Sequence, residues 1–184
     1  MTTTIVDLVE RNNSLSESQN VRAFADILKA GRAGDTKIMV ANKPLNEVAC
    51  LDPRCNPTEF FNLDGYEAIV HRNAGGNVRH ALRDILMLDR ALQLHELAIV
   101  HHTDCGTLTS TDEQVRSHVK ARVDEVHWAE VDAIEWGSMT DVEESIKGDV
   151  KWFRENPLVR AELKDGCRGF VLDSQTGKVR KVDV

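Results

Sequence analysis

At 184 residues, with 41% hydrophobic and 29% charged side chains, the chain is long enough and apolar enough to bury a real core, which excludes disorder as the default. A net charge of −7 without any clustered basic stretch argues against nucleic acid or an anionic membrane as a partner. No run reaches the roughly 20 apolar residues of a membrane span. The N-terminus carries Asp7 and Glu10 and no apolar core of signal-peptide length, which predicts a soluble, cytoplasmic protein.

With no internal repeat, low-complexity tract or linker, the sequence predicts one domain over residues 1–184. Its first third reads as helix: Val21, Phe24, Ala25, Ile27 and Leu28 share a face, and Gly31 and Gly34 end the segment. The period then changes to short apolar runs of strand length, Glu47 to Asp52, Glu67 to Arg72, Glu96 to His102 and Cys167 to Asp173. Between the second and third runs, Val78, Ala81, Leu82, Ile85, Leu86 and Leu92 mark an amphipathic crossover helix. Further helices are predicted to begin at Ser110-Thr-Asp-Glu113 and Thr140-Asp-Val-Glu143, both of which fit the capping-box pattern, the second helix ending near Asn156-Pro157. Strands alternating with helices predict an α/β fold. Its mostly parallel sheet has about four strands, flanking helices and an antiparallel edge strand from the C-terminal hairpin.

In such sheets, ligands bind beyond the carboxyl ends of the strands. The residues that fall there are Cys50 to Arg54, Arg72 to Gly76, and His102 to Cys105. Any one of Cys50, His102 and Cys105 taken alone reads as an ordinary buried side chain. Together they form a Cys2His set that suits zinc and leaves a fourth tetrahedral position open. Asp52 and Arg54 are one residue apart, so the guanidinium can hold the carboxylate ionised and oriented as an acceptor. Gly75 and Gly76 give backbone room near the site; a phosphate cradle is the minor option, because the Walker and G-x-G-x-x-G spacings are absent. His101 points to the opposite face from His102 by strand alternation. Cys55 reads as a bystander and Cys167 as core.

Cys50-x-Asp52-x-Arg54, then His71-Arg-Asn-Ala-Gly-Gly76, then His102-x-x-Cys105-Gly106 together resemble the signature of β-class carbonic anhydrases. "HHTDCG" and "RGFVLDSQTGKV" resemble the short branch of that family, and the resemblance runs from about Glu47 to the C-terminus. It implies one zinc ion per subunit on Cys50, His102 and Cys105, the dyad Asp52 and Arg54 beside it, and a substrate pocket near Asn73, Gly75, Gly76 and Gly106. It also implies a homodimer or dimer of dimers, with the N-terminal arm, residues 1–35, packed on the partner subunit. Pro53 and Thr107 depart from the family's pattern, which usually has a small residue and a methionine there.

The expected activity is reversible hydration of carbon dioxide to bicarbonate by a zinc-bound hydroxide, with Asp52 orienting the hydroxide. Hydrolysis of carbonyl sulfide or carbon disulfide with release of hydrogen sulfide is the alternative at the same zinc. A zinc-stabilised binding protein without turnover is a second alternative, against which an intact Asp52 and Arg54 weigh.

Overall fold

The computed structural model describes residues 45–63 and 68–184; the helical segment expected over residues 1–35 lies outside them. Five strands form one sheet: β1 Leu45–Cys50, β2 Ala68–Asn73, β3 Glu96–His102, β4 Cys167–Leu172 and β5 Val179–Val182. Their spatial order is β2-β1-β3-β4-β5, with the first four parallel and β5 antiparallel to β4. This is the predicted α/β arrangement. β1 ends at Cys50, two residues short of its expected limit, because Leu51 N makes the last bond to Asn73 O (2.9 Å) before the chain turns at Asp52-Pro53.

The helices are α1 Pro57–Phe60, α2 Val78–Leu92, α3 Asp112–Lys120, α4 Trp128–Asp132, α5 Val142–Glu155 and α6 Ala161–Asp165. Asn77 caps α2 by accepting from Arg79 N, and Gln93 ends it in the left-handed conformation. The caps of α3 and α5 each fall one residue later than predicted. Thr111 and Gln114 exchange both bonds of a capping box, and the Asp141 carboxylate accepts from Glu144 N at 2.9 Å. In each case two cap registers overlap in the sequence. At α5 a carboxylate, which also suits the positive end of the helix dipole, displaces the threonine hydroxyl.

One face of the sheet, including Val48, Ile99 and Val171, packs on Ala81 and Ile85 of α2 and Ile146, Val150 and Phe153 of α5. Gly169 permits this: a Cβ there would run into the Ile146 side chain, so α5 can lie directly on β4. The other face buries Ala49, Ala98, Val100 and Leu172 with Phe60, Phe61 and Phe170. Cys167, fully buried in the first cluster, is a core thiol, pushed up to about 12 by desolvation. Among the described residues, no helix is long and apolar enough to cross a membrane.

Since the chain runs from β1 outward to β2 and then back across to β3, the sheet has its switch point at the ends of β1 and β3. Cys50 is the last residue of β1 and His102 the last of β3.

Candidate metal centre and active site

Strand register delivers the first two groups and a tight turn delivers the third. β1 and β3 are paired through Ala49 and Val100. Beyond them Asp104 takes a left-handed φ of 55°, and the chain doubles back so that Cys105 faces Cys50. Gly76 allows the neighbouring loop to press in. Its φ is +72°, and a Cβ there would stand 2.8 Å from Val100 O and 3.2 Å from Cys50 N, which no larger residue could occupy without moving a strand end.

The donor atoms of Cys50, His102 and Cys105 all lie within 4.8 Å of one another, and all three residues are buried. The two sulfurs are 3.8 Å apart, which matches the edge of about 3.8 Å that two bonds of ~2.3 Å make at a tetrahedral zinc. His102 Nδ1 lies 2.9 Å from Thr103 O, so that nitrogen carries the proton and donates it. Nε2 is then a buried lone pair without a hydrogen-bond partner among the described residues. An orphaned imidazole nitrogen beside two sulfurs fits a soft or borderline metal ion, zinc foremost. Cys105 is held down to about 6, most by the hydrogen bond from Cys50 and further by Thr107, against desolvation, while Cys50 is pushed up to about 11 by the bond to Cys105 and by burial. Together they hold one thiolate readily.

Asp52 stands at the lip of this cluster, with Oδ2 4.0 Å from His102 Nε2. Arg54 grips it from three sides: backbone N to Oδ1 at 2.9 Å, Nε to Oδ1 at 3.0 Å and Nη2 to Oδ2 at 2.7 Å. That grip holds the Asp52 carboxyl well below the usual carboxylate range, so it is ionised at any physiological pH. Pro53, between them, leaves the loop able to fold back on itself.

Two supports escape a reading of the sequence. Asp104 accepts from Arg54 Nη1 at 2.8 Å and its carbonyl accepts from Nη2 at 3.0 Å, which fixes the guanidinium from its far side. Arg72 donates from Nε to Cys50 O at 2.9 Å and from Nη2 to Asp52 O at 2.7 Å, tying the whole Cys50 to Asp52 segment to β2. Only the placement of both at strand ends could have marked them.

Of the residues expected to line a pocket, Gly75 packs on Thr107 and Gly76 on the strand ends, while Gly106 is exposed and opens a 3-10 turn, Gly106–Leu108. Asn73 is committed elsewhere: its amide clamps Asn77, accepting from the backbone N at 2.7 Å and donating to the carbonyl at 2.8 Å. His101 turns to the other face, with Nε2 3.2 Å from Gly76 O and 3.5 Å from Asp149 of α5. Cys55 is buried in the same cluster as Cys50 and Cys105.

Residues 47–179 match the carbonic anhydrase family profile, and over 145 residues the chain is 32% identical to β-carbonic anhydrase 1 of Mycobacterium tuberculosis, covering 78% of this chain and 85% of that protein. The chain belongs to the β-carbonic anhydrase family. A carbon disulfide hydrolase of Acidianus sp. is 27% identical over 161 residues, 76% of this chain and 78% of that one. Among solved structures, a carbonic anhydrase from Glaciozyma antarctica superposes with a TM-score of 0.71 at 31% identity, covering 91% of this chain and 98% of that one. The Cys, Asp, Arg and His of this β-carbonic anhydrase fold all lie inside the matched span.

Proposed function

We propose that the protein catalyses the reversible hydration of carbon dioxide to bicarbonate and a proton, with one zinc ion held by Cys50 Sγ, His102 Nε2 and Cys105 Sγ. Zinc in that position supplies Lewis acidity that brings the ionisation of a coordinated water down to near pH 7. The observation that carries the proposal is the Asp52 carboxylate, locked by Arg54 beside a buried N/S/S donor set. A stabilising clip has no use for such an acceptor, whereas an enzyme needs one to orient the attacking oxygen through its proton. Arg54 keeps Asp52 charged and aimed, and Asp104 and Arg72 keep the dyad in register with Cys50. Backbone groups about Gly75, Gly76 and Gly106 border the space where a small linear substrate would lie. The proton is released to solvent, to which Asp104 and Gly106 beside the site are exposed.

Hydrolysis of carbonyl sulfide or carbon disulfide is the second reading, favoured by the 27% identity to a carbon disulfide hydrolase and by chemistry that needs only a different electrophile. Assembly as a homodimer or dimer of dimers belongs to the same proposal, supported by likeness in fold to β-carbonic anhydrases of Sordaria macrospora that are described as tetrameric.

The deciding experiment measures stopped-flow carbon dioxide hydration and hydrogen sulfide release from carbonyl sulfide and carbon disulfide on one zinc-loaded preparation, with Asp52→Ala as control. Fast hydration lost in Asp52→Ala is the expected result. Sulfide release with weak hydration would replace it with the second reading, and no turnover of any of these substrates would leave a zinc-stabilised binding protein.

A further inference from the structure

We infer that Thr107 is a positioning residue of the metal centre, its hydroxyl donating a hydrogen bond to the Cys105 sulfur and so setting that thiolate's orientation and charge donation. The inference rests on the ligand set proposed above. Thr107 Oγ1 lies 3.1 Å from Cys105 Sγ. A thiolate has no proton to give, so once Cys105 is a ligand the hydroxyl must be the donor.

The turn that carries the hydroxyl is fixed, and the side chain has a place to lie in. Gly75 leaves it the room it occupies: a Cβ there would stand 3.2 Å from Thr107 Oγ1 and 3.4 Å from Cγ2. Thr107 O accepts from Met139 N at 3.1 Å, and Leu108 N closes the turn on Cys105 O at 3.1 Å. Threonine's β-branch further stiffens χ1. Among the described residues the Cys50 sulfur has no hydroxyl on it and accepts instead from a backbone amide, Asp52 N, at 3.5 Å. The two sulfurs are therefore unequal donors. A hydrogen bond draws electron density off the Cys105 thiolate and fixes its lone pairs, and groups of this kind commonly govern metal affinity and the electrophilicity of the ion.

The test replaces zinc with cobalt(II) and compares wild type with Thr107→Ala, Thr107→Val and Thr107→Ser, reading the sulfur-to-cobalt charge-transfer absorption and the cobalt dissociation constant by chelator competition. Far-UV circular dichroism checks that each variant is folded. The alanine and valine variants are expected to move the absorption to longer wavelength and weaken binding roughly tenfold, while serine, which keeps the hydroxyl, stays near wild type. Unshifted absorption and affinity in both alanine and valine variants, beside a wild type that shows the band, would overturn the role of Thr107 and leave the ligand set standing. A shift in serine as large as in alanine would assign the effect to the methyl group and overturn it too. A wild type without any sulfur-to-cobalt band would instead overturn the ligand set, and this inference with it.

Discussion

Changing Glu47 to glutamine isolates the effect of an ionisable group buried in the middle of a sheet. Glu47 lies on β1, between Val70 of β2 and Ala98 of β3, with 1% of its surface exposed and no hydrogen-bond partner for either carboxylate oxygen among the described residues. Desolvation pushes its carboxyl from the ordinary 4.5 up to about 7. Below pH 4.5 the group is neutral in folded and unfolded chains alike and costs nothing as a charge. Between 4.5 and about 7 the unfolded chain gives up the proton and the folded one keeps it, so stability falls as pH rises. Above about 7 the penalty is full, and the gap converts to about 3 kcal/mol at 1.36 kcal/mol per tenfold. Urea unfolding of wild type and Glu47→Gln at pH 5 and pH 8 reads this directly. Wild type should lose about 2 to 3 kcal/mol more than the variant over that interval. Parallel losses in the two proteins would refute the argument, since they would mean that the Glu47 carboxylate is solvated or paired when folded.

Gly76→Ala should destabilise the fold by at least about 2 kcal/mol, from the left-handed φ and the clash with Val100 O together, and should lower metal bound per chain, measured by urea titration and elemental analysis. An unchanged midpoint would show that the loop can shift away from Cys50 at little cost. Thr111→Ala should lose about 1 kcal/mol with its capping box, whereas Ser110→Ala should cost less than half of that. Chemical denaturation of the pair separates the two cap registers, and equal losses would contradict the observed one.

The strands and the metal-ligand candidates were legible because both rest on local chemistry: apolar runs of strand length, with a sulfur where β1 ends and an imidazole where β3 ends. What escaped depended on relations between distant segments. Asp104 gives no sign in sequence that it holds Arg54, 50 residues away, and Arg72 reads as one basic residue after an apolar run until β2 is paired with β1. Thr107 showed itself only as a departure from the family's usual methionine, since its contact with Cys105 needs the 3-10 turn and the room that Gly75 leaves. The part Asn73 plays in the loop was hidden for a related reason: its neighbours Ala74, Gly75 and Gly76 form so tight a turn that its amide closes the loop on Asn77. The cap shifts arose from overlapping patterns, where sequence offers two registers and hydrogen-bond geometry chooses one.

The distribution of the three donors along the chain ties the candidate site to the pairing of two strands. His102 and Cys105 belong to one turn, while Cys50 arrives from 52 residues upstream and reaches them only when β1 has docked on β3. An unfolded chain thus offers an ion two donors, and the docked sheet offers three. Three-donor binding in the proposed centre needs the two central strands paired, and binding restricted to that state would stabilise it by mass action. An ion bound by the proposed ligand set would therefore latch a sheet already assembled, and a shortage of metal should yield chains with the strands paired.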